Sequence, residues 1–77
     1  MDQLANPTEI EAPVSKDRIY KELRRTIIMG YSRPGSRLNI KDIAKRYNTS
    51  VTPIRDVLQM LSQEGLVTIK PRSGYYV

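Results

Sequence analysis

The run Ser50-Val51-Thr52-Pro53-Ile54-Arg55-Asp56-Val57-Leu58, continued through Leu61 to Glu64-Gly65-Leu66 and on to Lys70-Pro71-Arg72-Ser73-Gly74-Tyr75, decides the reading of this chain. Ile54, Val57, Leu58 and Leu61 recur at helical spacing, and Gly65 is placed to stop the helix. On a wheel of about 100° per residue, Thr52, Arg55, Gln59 and Gln63 fall on the other side. Either Ser50 or Thr52 can cap this helix, the Thr52 choice placing Pro53 at the favoured first helical position. Beyond Gly65, Leu66-Val67-Thr68-Ile69 is β-prone, Pro71 to Gly74 supplies a turn, and Tyr75-Tyr76-Val77 supplies a return strand. A helix that begins on hydroxyls and an arginine is therefore joined at once to a hairpin whose tip is basic and bears a glycine.

Upstream, Ser15 is placed to cap a first helix, with Asp17 in its first turn, where negative charge suits the helix dipole. Ile19, Leu23 and Ile27 recur every four residues, with Tyr20 and Ile28 widening the apolar stripe, and Gly30 is the natural stop. Ser32-Arg33-Pro34-Gly35 reads as a tight turn, followed by a short extended piece at Arg37-Leu38. Asn39 is a good cap for a second helix of about two turns, with Asp42 at a capping-box spacing and Ile40, Ile43, Ala44 and Tyr47 on its apolar side. Asn48-Thr49 then breaks the pattern. The expected fold class is mainly α with a small β-hairpin: three helices and a C-terminal wing, the order of a winged helix-turn-helix.

The chain has 77 residues, enough for one domain with a small core. It contains no cysteine and no histidine, which removes thiolate nucleophiles, disulfides, zinc fingers and the usual neutral-pH general base together. No carboxylate pair, phosphate loop or activated nucleophile is visible, so the reading is of a protein that is not an enzyme and needs no cofactor or metal. No apolar run approaches the roughly 20 residues that cross a bilayer, and no basic-then-apolar signal pattern opens the chain, which makes the cytoplasm the expected compartment and a membrane no expected partner.

Charge is divided unevenly. Residues 1–14 hold Asp2, Glu9 and Glu11 and no basic residue, and they read as a flexible acidic leader. All thirteen Lys and Arg fall in 15–77 against five acids, a net charge of +8. A body this basic attracts a polyanion.

The second helix, the Asn48-Thr49 turn and the third helix span about 25 residues, the size of a helix-turn-helix whose second helix enters the major groove by its N-terminal part. That part is Ser50 to Arg55, where small polar residues allow close approach and an arginine fork can take guanine O6 and N7. Gln59, one turn on, is in reach of a base edge or a phosphate. Capping alone for Ser50 and Thr52, and pairing of Arg55 with Asp56 or Asp42, is the plain structural alternative. The wing tip Lys70-Pro71-Arg72-Ser73-Gly74 is fitted to approach a minor groove or flanking phosphates, with Arg72 foremost. On the second helix Lys41 is favoured over Lys45 and Arg46 as a phosphate partner.

The ordered set Pro34-Gly35-Ser36-Arg37-Leu38-Asn39, Asp42-Ile43-Ala44, Ser50 through Leu58, Leu61, Glu64-Gly65-Leu66-Val67 and Gly74-Tyr75-Tyr76-Val77 resembles the DNA-binding domain of GntR-family bacterial transcription regulators, most nearly the FadR-like branch. The resemblance covers about residues 15–77. It implies a dimeric repressor or activator on a double-stranded operator palindrome, helix 3 in the major groove and the wing tip in the minor groove. It further implies a small-molecule effector held by a helical domain not contained in these 77 residues, which leaves a leader at 1–14 and a winged-helix domain at 15–77. Carried over by position, Lys41, Ser50, Thr52 and Arg55 match the family's contact positions and Gly74 matches its wing glycine. Val51, Pro53, Gln59, Arg72 and Ser73 complete the candidate DNA-binding set. Val51 stands where the pattern has arginine, so the operator is expected to differ from that of relatives, and Asn48 replaces the usual turn glycine. A winged helix used for protein contact, through Tyr75-Tyr76-Val77 and Met60, is the alternative reading, and single-stranded nucleic acid is disfavoured because the five tyrosines are scattered.

Overall fold

The structure of the protein, a computed structural model, describes residues 14–77. Its elements are α1 (Lys16–Ile28), β1 (Arg37–Leu38), α2 (Ile40–Arg46), α3 (Val51–Gln63), β2 (Thr68–Lys70) and β3 (Gly74–Tyr76). The leader expected over 1–14 lies outside the described residues except for Val14, which is half-buried and packs against the core.

Local chemistry sets the helix ends. Ser15 caps α1, its hydroxyl accepting from the Arg18 amide at 3.3 Å. Asn39 caps α2, its side-chain oxygen accepting from the amides of Lys41 and Asp42 at 3.0 and 3.1 Å. All three helices close with the same pair of backbone bonds. Tyr31 donates to Thr26 O and Gly30 to Ile27 O, Thr49 to Ala44 O and Asn48 to Lys45 O, Leu66 to Leu61 O and Gly65 to Ser62 O. This is the Schellman arrangement, which puts the residue after the cap into the left-handed region; Gly30, Asn48 and Gly65 hold φ of 80°, 54° and 79°. Asn48 therefore does the work of a turn glycine, as its tolerance of positive φ predicts.

The core is one cluster. Ile19 and Leu23 of α1, Ile43 and Ala44 of α2, Ile54, Val57, Leu58 and Leu61 of α3 and Val67 are buried, and no polar side chain is buried among the described residues. Removing an aliphatic side chain of this size from water stabilises by about 1.5–3 kcal/mol, and α3, with four of the nine, is the structural spine. Tyr20, Ile27, Ile40 and Tyr47 pack at its edge as their spacing predicts. Ile28 does not: it is 52% exposed, because α1 runs on past the cluster and leaves Ile28, Met29 and Tyr31 in solvent.

The hairpin is part of a three-stranded antiparallel sheet of order β1-β3-β2. Arg37 pairs with Tyr76 and Leu38 with Tyr75 on one side; Thr68, Ile69 and Lys70 pair with Tyr76, Tyr75 and Gly74 on the other. The ladder continues through Val77, which donates to Ser36 O at 2.9 Å and accepts from the Gly35 amide at 2.8 Å. Arg37-Leu38 is thus a strand of the wing sheet. Two further positions differ from the sequence reading. The first turn closes one residue later, the Ser36 amide donating to Arg33 O at 3.0 Å, which puts Pro34 and Gly35 at its centre. Strand β2 begins at Thr68, since Leu66 is used to close α3 and Val67 turns into the core.

Candidate nucleic-acid interface

Of the two caps open to α3, the structure takes Ser50, and it makes no side-chain cap bond. Helix α3 begins at Val51, so Pro53 sits at the third helical position and not the first, still inside the turn where a missing amide costs nothing. The Ser50 and Thr52 hydroxyls are exposed and hold no cap. Arg55 and Gln59 are exposed one turn apart on the same side, opposite Ile54, Val57, Leu58 and Leu61. Arg55 has no acid partner among the described residues, because Asp56 faces Lys16 at 3.6 Å. The plain structural alternative for Ser50 and Arg55 therefore finds no support in the geometry. Val51 differs from its neighbours: it is half-buried against the core, and Pro53 is half-buried too. Part of each side chain serves packing.

The wing tip is a turn in which the Ser73 amide donates to Lys70 O at 3.0 Å, with Pro71 and Arg72 at its centre. Arg72 adopts φ 64°, a conformation that costs an ordinary residue about 1–2 kcal/mol and that glycine adopts freely. An arginine is held at the apex of the tip in spite of that cost. Ser73 Oγ and the Tyr76 hydroxyl share a hydrogen bond of 2.6 Å, and Lys70 Nζ lies 4.6 Å from the Tyr76 ring centroid, a cation–π distance. Both brace the strands behind the tip. Gly74 has φ 136°, and a Cβ placed there would lie 2.9 Å from Arg37 Nε. The positive φ favours glycine at this point, and the guanidinium of Arg37 lies where a side chain would stand.

Arg72, Ser73 and Gly74 line one groove with Arg37, and Lys41 lines an adjacent groove with Arg37 and Gly74. Thus the start of α2 meets the base of the wing through Arg37, a residue the sequence placed in an extended piece and in the family-like run but not among the candidate DNA contacts. Ser50 lines a separate groove with Lys45 and Asn48 at the helix-turn-helix corner.

Two carboxylate forks hold α1 against the reading helices. Glu22 accepts from Arg18 Nε at 2.9 Å and from the Tyr47 hydroxyl at 3.0 Å. Glu64 accepts from Arg24 Nε at 2.8 Å and from the Tyr20 hydroxyl. The Arg18 guanidinium and then Tyr47 hold the Glu22 carboxyl below its ordinary value, while Tyr20 and then Arg24 do so for Glu64. Conversely, burial and the bond to Glu22 raise Tyr47, and the bond to Glu64 raises Tyr20. The forks spend six charged or phenolic groups on structure, and Lys41, Arg55, Arg72 and Arg37 have no ion-pair partner among the described residues.

Three helices, the second and third joined by a tight corner, and a wing whose apex is an arginine define a winged helix-turn-helix protein. Residues 15–77 match the family described as bacterial regulatory proteins, gntR family, and the chain belongs to that family. It is 39% identical over 72 residues to the HTH-type transcriptional repressor RspR of Escherichia coli (strain K12), a match covering 94% of this chain and 30% of that protein. It is 36% identical over 58 residues to the HTH-type transcriptional repressor GlaR of the same organism, covering 75% of this chain and 26% of that one. The chain spans three tenths or less of the length of these curated relatives. The solved structure described by the words "Lar controls the expression of the Listeria monocytogenes agr system and mediates virulence" shares the fold, with TM-score 0.74 and 23% identity over 86% of this chain and 31% of that chain. The family is one of transcriptional regulators of the helix-turn-helix type, which implies binding to DNA and is not a class of enzymes.

Proposed function

We propose that this chain is the reading head of a transcription regulator that binds double-stranded DNA in a sequence-specific manner. The exposed face of α3 enters the major groove, and the Arg72 tip enters the minor groove or lies along its phosphates. In this reading Arg55 takes a guanine edge, Ser50 and Thr52 allow close approach and bond phosphates or bases, and Gln59 reaches the next step. Arg72, Ser73 and Gly74 serve at the wing, and Lys41 adds a phosphate contact. Val51 and Pro53 shape the start of α3, with Val51 offering a methyl surface in place of a guanine donor.

One observation carries the proposal: every polar side chain on the first two turns of α3 that could have been used for capping or ion pairing, save Asp56, is left exposed and unused. Such a surface on a body of net charge +8 is built for a polyanion that must be read. The reading of a protein-contact wing finds less support, because Tyr75, Tyr76 and Val77 are spent on the β1-β3-β2 sheet.

By analogy with the family, the full regulator would be a homodimer on a palindromic operator, acting as repressor or activator in the cytoplasm, with a FadR-like helical domain that takes a small-molecule effector. The test is selection of duplexes from a random pool by the chain. Enrichment of one short sequence, bound more tightly than its scrambled version, is expected; no enrichment above the starting pool would refute sequence reading.

A further inference from the structure

We infer that Arg37 is a DNA-phosphate site formed by the pairing of β1 with the wing, which lays its guanidinium beside the bare Gly74. This inference rests on the DNA-binding reading above and adds to it a contact from an element outside both the helix-turn-helix and the wing tip.

Four observations converge on Arg37. Its Cα partner in the sheet is Tyr76, which places Arg37, Thr68, Lys70, Gly74 and Tyr76 on one face of the three strands, since paired and alternate residues share a face. From there the guanidinium lies back along β3 toward the tip, with Nε, Nη2 and Cζ at 2.9, 3.4 and 3.6 Å from where a Gly74 Cβ would stand. Residue 74 is held at φ 136°, a conformation that favours glycine, and without a side chain it leaves that space to the guanidinium. Finally, Arg37 is exposed and ion-paired to no other described residue, although Arg18 and Arg24 both hold glutamates.

The surroundings decide the ligand class. Arg37 lines both grooves at the wing base, one shared with Lys41 and the other with Lys70 and Arg72. Each of these neighbours is a cation, and no Asp or Glu lines either groove. A guanidinium whose Nε and Nη2 face the space left open by a glycine, among like charges and with no acid of the described residues in either groove, is suited to a bidentate oxyanion. On a wing laid against a duplex, that oxyanion is a backbone phosphate beside the groove the tip enters. Contacts of this kind position the protein and do not read sequence. Arg37 is accordingly assigned to register and affinity, and Arg55 to base choice.

The experiment is a titration of the duplex selected by the chain, and of its scrambled version, by the wild type, Arg37→Gln, Gly74→Ala, their double variant and Arg33→Gln, at several salt concentrations. Arg37 is exposed, so Arg37→Gln leaves the core intact, which a melting curve verifies. The slope of log affinity against log salt should shrink by about 0.9 in Arg37→Gln, the contribution of one phosphate contact on duplex DNA. The ratio between selected and scrambled duplexes should stay unchanged. Gly74→Ala should lower affinity both by straining the backbone and by displacing the guanidinium, and its loss should be smaller in the Arg37→Gln background. Arg33, an exposed arginine on the turn before β1, should leave the slope unaltered when replaced. A wild-type slope in Arg37→Gln, or an equal loss in Arg33→Gln, would overturn the assignment while leaving DNA binding in place. A wild type that binds neither duplex would overturn the DNA-binding reading itself.

Discussion

The Tyr47 hydroxyl donates to Glu22 Oε1 at 3.0 Å, tying the end of α2 to the middle of α1 across 25 residues of sequence. With the Glu64 fork to Tyr20 and Arg24, this bond sets the two reading helices on the one helix that has no part in the proposed interface. Both carboxyls are held below their ordinary value of 4.5. A group depressed in the folded state contributes stability that is fully present above its unfolded value and is lost as pH falls through the folded value. Thermal midpoints should therefore drop between pH 6 and pH 3 in the wild type. The drop should be smaller in Glu22→Gln/Glu64→Gln, whose midpoints near pH 6 should be lower to begin with. Equal pH sensitivity in both proteins would show that the forks do not couple to folding.

Leu58, fully buried at the centre of α3, should be costly to shorten. Leu58→Ala is expected to lose about 2–5 kcal/mol in urea unfolding, a large part of what a domain this small possesses. Met60 lies two residues on but is 39% exposed, and Met60→Ala should lose under about 1 kcal/mol.

Arg72 is held at positive φ against its own preference, so Arg72→Gly separates stability from binding. Relief of about 1–2 kcal/mol of backbone strain, set against about 0.5–1 kcal/mol of added chain entropy, should leave stability unchanged or up to about 1.5 kcal/mol higher. Duplex affinity should nevertheless fall and its salt slope shrink. Destabilisation together with unchanged binding would remove the wing tip from the interface.

Val51 stands half-buried at the start of α3, at the position where the resemblance leads one to expect an arginine. Val51→Arg should shift the base preference of a duplex selection toward guanine at one step, with discrimination of about 1–3 kcal/mol, and should cost some stability by withdrawing a packed side chain. An unchanged preference would mean that this position does not face the bases.

Much of this was legible because it is local. Ser15 and Asn39 as caps, Gly30, Asn48 and Gly65 as helix ends, and the α3 stripe each depend on residues within one or two turns, and periodicity reports them directly. The pairing of Arg37-Leu38 with Tyr75-Tyr76 was not legible, since nearly forty residues separate the strands and two residues carry no period of their own. Arg37 was missed for the same reason: its place over Gly74 exists only once that pairing is made. Ile28 misled because a stripe of correct spacing does not reveal where the partner surface ends. Of the candidate site, the exposure of Thr52, Arg55 and Gln59 followed from the wheel. The Ser50 cap without a side-chain bond did not, because two hydroxyls two residues apart offer equal starts.

The central claim is that Arg55, exposed and unpaired on α3, reads a base. It is tested most directly by fluorescence anisotropy of the wild type and Arg55→Ala on the selected duplex and its scrambled version at fixed salt. The account predicts that the ratio of the two affinities falls about fivefold or more in Arg55→Ala, the equivalent of about 1–3 kcal/mol of lost discrimination, with a smaller loss on the scrambled duplex. Equal losses on both duplexes would contradict it.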